Sequence, residues 1–254
     1  MFDNFFKLKI SAEVISSLIV MGIIIILSVV IGIMAHFHDP LKKPKGLLFL
    51  AEMGVEFFDN FAKDLIGTRL SGFGGFIMAI AVYLFFSFIF GLTGLPSPVT
   101  NMAIPLSLGL ISFFTIHFIS LRYKKWRYFK RYVEPFPVFL PINLLSMWAP
   151  LLSLTLRLFG NALSGYVLMN IVYYALENLS TMIFGTLIPG EWSGIFIAPL
   201  VAPILHLYFD LFSAFIQTTI FISLTTIFIG QEIPDEDEVL SSDVKLLRKG
   251  GKNI

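Results

Sequence analysis

A chain of 254 residues, 56% hydrophobic and 14% charged with a mean hydropathy of +0.84, has the composition of an integral membrane protein. It has no cysteine, which excludes disulfides and thiol-based metal or redox chemistry. Its net charge of +1 leaves any electrostatic signal in how charge is apportioned among the loops.

At the amino terminus Lys7 and Lys9 are offset by Asp3 and Glu13, and no small-residue cleavage site follows. The first apolar run, Val14 to Ala35, is therefore expected as a retained span; its length covers about 30 Å of hydrocarbon. The start also lacks transit-peptide character, which favours a bacterial membrane. His36 to Lys45 breaks the run with His38-Asp39-Pro40 and three lysines. Residues Leu47 to Ile66 alternate apolar side chains with Glu52, Glu56, Asp59, Lys63 and Asp64, the pattern of an amphipathic helix lying at the interface. Phe73 to Leu95 and Val99 to Leu121 are further uncharged spans joined by the turn Pro96-Ser97-Pro98.

Arg122 to Pro135 gathers Arg122, Lys124, Lys125, Arg127, Lys130 and Arg131 against Glu134, interleaved with aromatics. Between spans this reads as a positive-inside loop with an aromatic belt, not a nucleic-acid site. The loop is then cytoplasmic, the amino terminus outside, and the lysines and Arg69 between the first two spans fall inside as well.

Two longer apolar stretches remain. Val138 to Leu176 would be about 58 Å as one helix and Gly194 to Gly230 about 56 Å, nearly twice a perpendicular crossing. Tilt or breaks must absorb the excess, and Pro141, Pro150, Pro199 and Pro203 are candidate break points. Glu177 to Ser193 reads as an outer turn, and 231–254 as a solvated tail with an acidic run and then a basic one. The fold expected is one all-α membrane domain of about five transmembrane helices plus an interfacial helix, the last two helices long, strongly tilted and paired as a hairpin.

Each long stretch holds one formal charge. Arg157 has nineteen uncharged positions on either side, too deep for its head to snorkel to the interface. A guanidinium there costs about 2.5–3.5 kcal/mol on insertion scales, so it is expected to face a water-filled cavity or a partner. Ser153, Arg157, Asn161 and Ser164 share one helical face, with Gly160 and Gly165 alongside. Asp210 is the other charge, with His206, Ser213 and Gln217 at helical spacing from it. An aspartate beside a histidine can pass a proton along, although His206 also reads as a packing residue held by a hydrogen bond. An ion pair between Arg157 and Asp210 is open if the two polar faces meet. Gly72-Phe73-Gly74-Gly75 lacks the final glycine of a dinucleotide loop, so no bound nucleotide and no bond-making chemistry are expected.

Ser153-Leu154-Thr155-Leu156-Arg157-Leu158-Phe159-Gly160-Asn161 with Ser164-Gly165, and later Phe215-Ile216-Gln217 with Leu224-Thr225, resembles subunit a of the rotary F-type ATP synthase. The resemblance implies a stator with two ion half-channels, for protons or sodium ions. Its arginine faces the carboxylates of a rotating c-ring, and its other neighbours are the peripheral stalk b subunits and the lipid bilayer. It implies Arg157 as the essential arginine, Asn161 one turn on, Gln217 on the facing helix and Asn101 in the outer half-channel. Asp210 fills the ionisable place seven before the glutamine. Tyr166 stands where many members have an acid or a histidine, and Ser146 or Met147 replaces a glutamate often found on the cytoplasmic side. The resemblance further implies a multi-pass protein of the bacterial plasma membrane with a cytoplasmic carboxyl terminus and no cofactor. The competing reading is a self-contained channel or secondary transporter with an Arg–Asp gate.

Overall fold

The computed structural model describes residues 11–39, 42–67, 70, 72–125, 140–186 and 191–233. Every regular element among them is helical, because an apolar solvent offers backbone N–H and C=O groups no partner and forces them to pair within their own segment. In chain order these are α1 (Ala12–His36), α2 (Leu47–Ile66), α3 (Phe73–Ile89), α4 (Ala103–Lys124), α5 (Leu140–Phe184), α6 (Ala198–His206) and α7 (Ser213–Glu232). A π turn, Leu207–Phe212, joins α6 to α7, so the last three pieces run as one rod. Five helices are long and apolar enough to cross a membrane: α1, α3, α4, α5 and the α6–α7 rod.

The core lies where α3, α4, α5 and α7 meet. Leu84, Val99, Leu154, Leu158, Ala214 and Phe221 are all sealed from solvent there. A second cluster of Ile66, Ile116, Ile119, Ile229 and Ile233 closes the end of the bundle at which α4 and α7 finish. Phe113 of α4 stacks on Trp148 of α5 at 4.9 Å between ring centroids, fixing those two helices together. By contrast α1 buries only Ser16, Ser17 and Val20, and the Ser17 and Tyr83 hydroxyls share a 2.7 Å hydrogen bond that ties it to α3.

Helix α2 carries Glu52, Glu56, Asp59 and Lys63 and packs on α3 and α7 through Ala62 and Ile66. Its approach to α3 is close. A Cβ added at Gly74 would meet the Asp59 carboxylate, with the Asp59 Cα at 2.7 Å.

Several elements depart from the sequence expectation. The helix after Phe73 ends at Ile89, tightens into a 3₁₀ turn over Phe90–Thr93 and stops at Gly94, whose φ of 81° reverses the chain. The long stretch expected to close near Leu176 continues to Phe184, so Glu177 and Asn178 are helical and not part of a turn. Nothing from Glu177 to Phe184 breaks a helix, and the first glycine is Gly185. That helix also passes through Pro150 without interruption. Much of the basic loop (Arg127, Lys130, Arg131, Glu134), Arg69, the amino-terminal segment 1–10 and the tail 234–254 lie outside the described residues.

Replacing Gly74 by leucine forces α2 away from α3. The expected outcome is a destabilisation of about 1–3 kcal/mol, read as a lower thermal midpoint of the detergent-solubilised protein. Gly75→Leu, where a Cβ meets nothing within 4 Å, should leave the midpoint in place.

Candidate functional site

The polar faces of α5 and of the α6–α7 rod converge on a cavity of about 680 Å³. Asn161, Gly165, Tyr166, Asn170 and Tyr173 come from α5, His206, Phe209 and Asp210 from the rod, and Ser97 and Thr100 from the turn after α3. Glu13, from the first turn of α1, reaches the same space. Inside it the Tyr173 hydroxyl lies 2.7 Å from His206 Nε2, and His206 Nδ1 lies 2.5 Å from Asp210 Oδ2. With Asp210 ionised and the ring neutral, the Nδ1 proton is donated to the carboxylate and Nε2 accepts from the tyrosine. Tyrosine, imidazole and carboxylate thus form a continuous hydrogen-bonded chain from α5 to the rod. A second cavity of about 670 Å³ adjoins it, sharing Leu92, Tyr173 and His206 and adding Glu177 at its rim.

The π turn decides which way Asp210 points. A π turn bonds i to i+5 and inserts one extra residue, so side chains on its two sides are offset by about 100° from unbroken α spacing. Asp210 and His206 accordingly face the large cavity, while Gln217 lines a separate cleft of about 250 Å³ with Asn161, Ser164 and Ser213. Pro203, which has no N–H and crowds the preceding carbonyl, sits one turn before the π turn.

Arg157 is partly exposed on α5. Its Nη2 donates to Ser153 Oγ at 3.5 Å, and among the described residues it forms no ion pair. The pairing with Asp210 that the sequence left open is not made, because the carboxylate is held by His206. Asn161 is exposed and borders both the large cavity and the cleft, and its carbonyl accepts from Ser164 Oγ at 3.1 Å. Tyr166 is 55% exposed and lines the large cavity. Gln217 is buried, and its Oε1 has no hydrogen-bond partner. Asn101 lies outside the cavity wall but touches it indirectly: its Nδ2 donates to Ser11 Oγ at 3.0 Å, and Glu13 is hydrogen-bonded to both. Its Oδ1 also accepts from the Ala103 N–H at the start of α4.

Sequence reasoning missed Glu13 and Tyr173. Glu13 counted only as an offset to the amino-terminal lysines, since its closeness to Asn101 is a long-range contact. Tyr173 stands two turns past Tyr166, and that spacing was the one available signal. His206 and Asp210, read as neighbours on one face, are brought into direct contact.

Residues 14–230 match the sequence profile of the family described as ATP synthase A chain. Among curated relatives, ATP synthase subunit a of Mycoplasmoides gallisepticum is 28% identical over 242 residues, covering 88% of this chain and 78% of that protein. The subunit a of Mycoplasma genitalium is 30% identical over 74% of this chain and 67% of its own length. That of Sulfurihydrogenibium sp. is 29% identical over 83% of this chain and 93% of its own.

Because the chain has no cysteine, single thiols report the cavity cleanly. A cysteine at Asn170, on the cavity wall, should react with a water-soluble thiol reagent in intact membranes, and one at Leu158, 1% exposed, should stay unlabelled. Equal labelling at the two positions would mean that the cavity is not a water space.

Proposed function

The chain belongs to the ATP synthase A chain family, a membrane component of the F-type ATP synthase that works in a complex with other subunits, and we propose that it is the stator that couples ion flow to rotation of a c-ring. The observation that carries the reading is Arg157, a cation deep in an apolar helix that finds no carboxylate within its own described chain. A buried charge must be paired or hydrated, and a partner that arrives from outside, a ring carboxylate, meets that need. The long helix α5 and the α6–α7 rod, tilted across the ring, present Arg157, Asn161 and Gln217 to it. The peripheral stalk b subunits hold the chain still.

Arginine suits the task because its guanidinium keeps its proton in proteins and stays a fixed positive barrier, where a lysine desolvated in the same place could release its own and leak. At about 4 Å and an effective dielectric of about 20, guanidinium and carboxylate attract by about 4 kcal/mol. One charge moved through about 150 mV supplies about 3.5 kcal/mol. The two are matched, so the contact holds a ring site and still yields to ion flow at every step.

The 680 Å³ cavity is the outer half-channel. Ions gather at Glu13, pass between Tyr166 and Asn161 and reach the ring from the Tyr173–His206–Asp210 wire, with Asn101 behind Glu13 and Ser164 on the neighbouring cleft that Asn161 shares. Asp210 takes the place of the acid that Tyr166 does not supply. A second half-channel opens at the other end of the bundle, offset from the first. On this reading the protein spans a bacterial plasma membrane, amino terminus outside and carboxyl terminus in the cytoplasm. The chain itself makes and breaks no bond, and needs neither cofactor nor nucleotide.

Arg157→Ala in the assembled complex is expected to abolish ATP-driven pumping into inverted membrane vesicles, read by quenching of a pH-sensitive dye. Asp210→Asn should slow pumping without abolishing it. Undiminished pumping by the arginine variant overturns the stator reading.

A further inference from the structure

We propose that the loop between α1 and α2 holds an anionic phospholipid, with its phosphate among Lys42, Lys43 and Lys45 and its acyl chains along the unburied half of α1.

The loop encloses a cavity of about 580 Å³ with two kinds of wall. Lys42, Lys43, Lys45 and His38 form the polar side, while Met34 and Phe37 at the end of α1 and Leu48 at the start of α2 form the apolar one. No acidic residue among the described ones lines it, and α2 has none in its first turn. Asp39 offsets one of the cations through a contact of 3.6 Å with Lys42, both side chains being exposed. Lys43 and Lys45 form no ion pair among the described residues, so the cavity keeps an uncompensated positive charge.

Local geometry gathers the lysines around this space. The Lys42 N–H donates to the Asp39 carbonyl at 3.0 Å, and His38 Nε2 donates to the Lys42 carbonyl at 2.9 Å, which closes the turn. Pro44 keeps the backbone of Lys43 out of the helical region, and α2 begins only after Gly46. Lysine ammonium groups are compact point charges with rotatable donors, so they select for the charge of a phosphate and tolerate variation in the rest of a headgroup.

The apolar wall indicates what the anion is attached to. Helix α1 buries Ser16, Ser17 and Val20 near its start, and from Met21 to His36 none of its residues is buried. Phe37, 82% exposed, carries that surface to the lip of the cavity. An apolar face that ends in a cluster of cations matches the two ends of a phospholipid, whereas a free anion such as inorganic phosphate would leave Met34, Phe37 and Leu48 uncovered. Leu48 stands about 27 Å along α2 from Ile66, where that helix joins the packed core, so the lipid lies at the periphery, away from the ion path. With the amino terminus outside, as proposed above, the lipid belongs to the cytoplasmic leaflet.

The test places the assembled complex in phosphatidylcholine vesicles that contain a trace of photoreactive lipid, either phosphatidylglycerol or phosphatidylcholine with the same acyl chain. A lysine beside an anionic lipid surface favours it about fivefold. Mapping after irradiation should therefore find the phosphatidylglycerol probe on residues 34–48 more than about tenfold as often as the phosphatidylcholine probe. Lys43→Gln combined with Lys45→Gln should remove most of that preference, and Lys43→Arg combined with Lys45→Arg should retain it. Equal labelling by the two probes in the unaltered complex overturns the proposal, as does a preference that survives loss of both lysines. Displacement of the probe by inorganic phosphate, but not by chloride of equal ionic strength, also overturns it and makes the cavity a free-anion site. Preferential labelling of the chain purified alone that disappears in the complex overturns it as well, because a neighbouring subunit then covers the cavity.

Discussion

A positive charge left without an ion-pair partner among the described residues is the constraint around which the site is arranged. Arg157 touches Ser153 one turn back and forms no ion pair among the described residues, although Asp210 stands on the neighbouring rod. Asp210 is occupied by His206, and His206 by Tyr173, so the chain spends its one deep carboxylate on a hydrogen-bonded wire and leaves the guanidinium available. Charge separation of this kind is costly in a low-dielectric setting unless water or a partner attends to each member. Asp210 lies on the wall of the large cavity, while Arg157 is left partly exposed on α5.

Charge scarcity made the centre of the site legible in the sequence. Where an apolar stretch of 39 residues contains one arginine, that residue needs no structure to announce itself, and the same holds for Asp210 in its own stretch. The spans were legible for a related reason, since a bilayer admits backbone only as helix and helix length follows from thickness. Helical periodicity placed Asn161 and Ser164 beside Arg157, and the structure puts both on the cleft that also holds Gln217.

What stayed hidden depends on contacts or on local departures from ideal spacing. Counting by 3.6 assumes an uninterrupted helix, and the π turn at Leu207–Phe212 breaks that assumption at the aspartate itself. Composition flagged Pro150 as a break, but the helix runs through it, because a proline in lipid loses one hydrogen bond that neighbouring helices and polar groups can offset. Glu13 and Tyr173 gain their places from pairings that bridge distant parts of the chain, which no local pattern encodes.

The first helix has a consequence of its own. Nearly all of its surface looks outward, and a shared hydroxyl contact with Tyr83 is its chief polar tie to the bundle, yet it carries the glutamate that lines the cavity beside Asp210. Its position is thus held as much by annular lipid as by protein. With so few protein contacts, the first helix is the element that loss of surrounding lipid would loosen first, and Glu13 on the cavity wall would move with it, while α3, α4, α5 and α7 stay packed on their shared core.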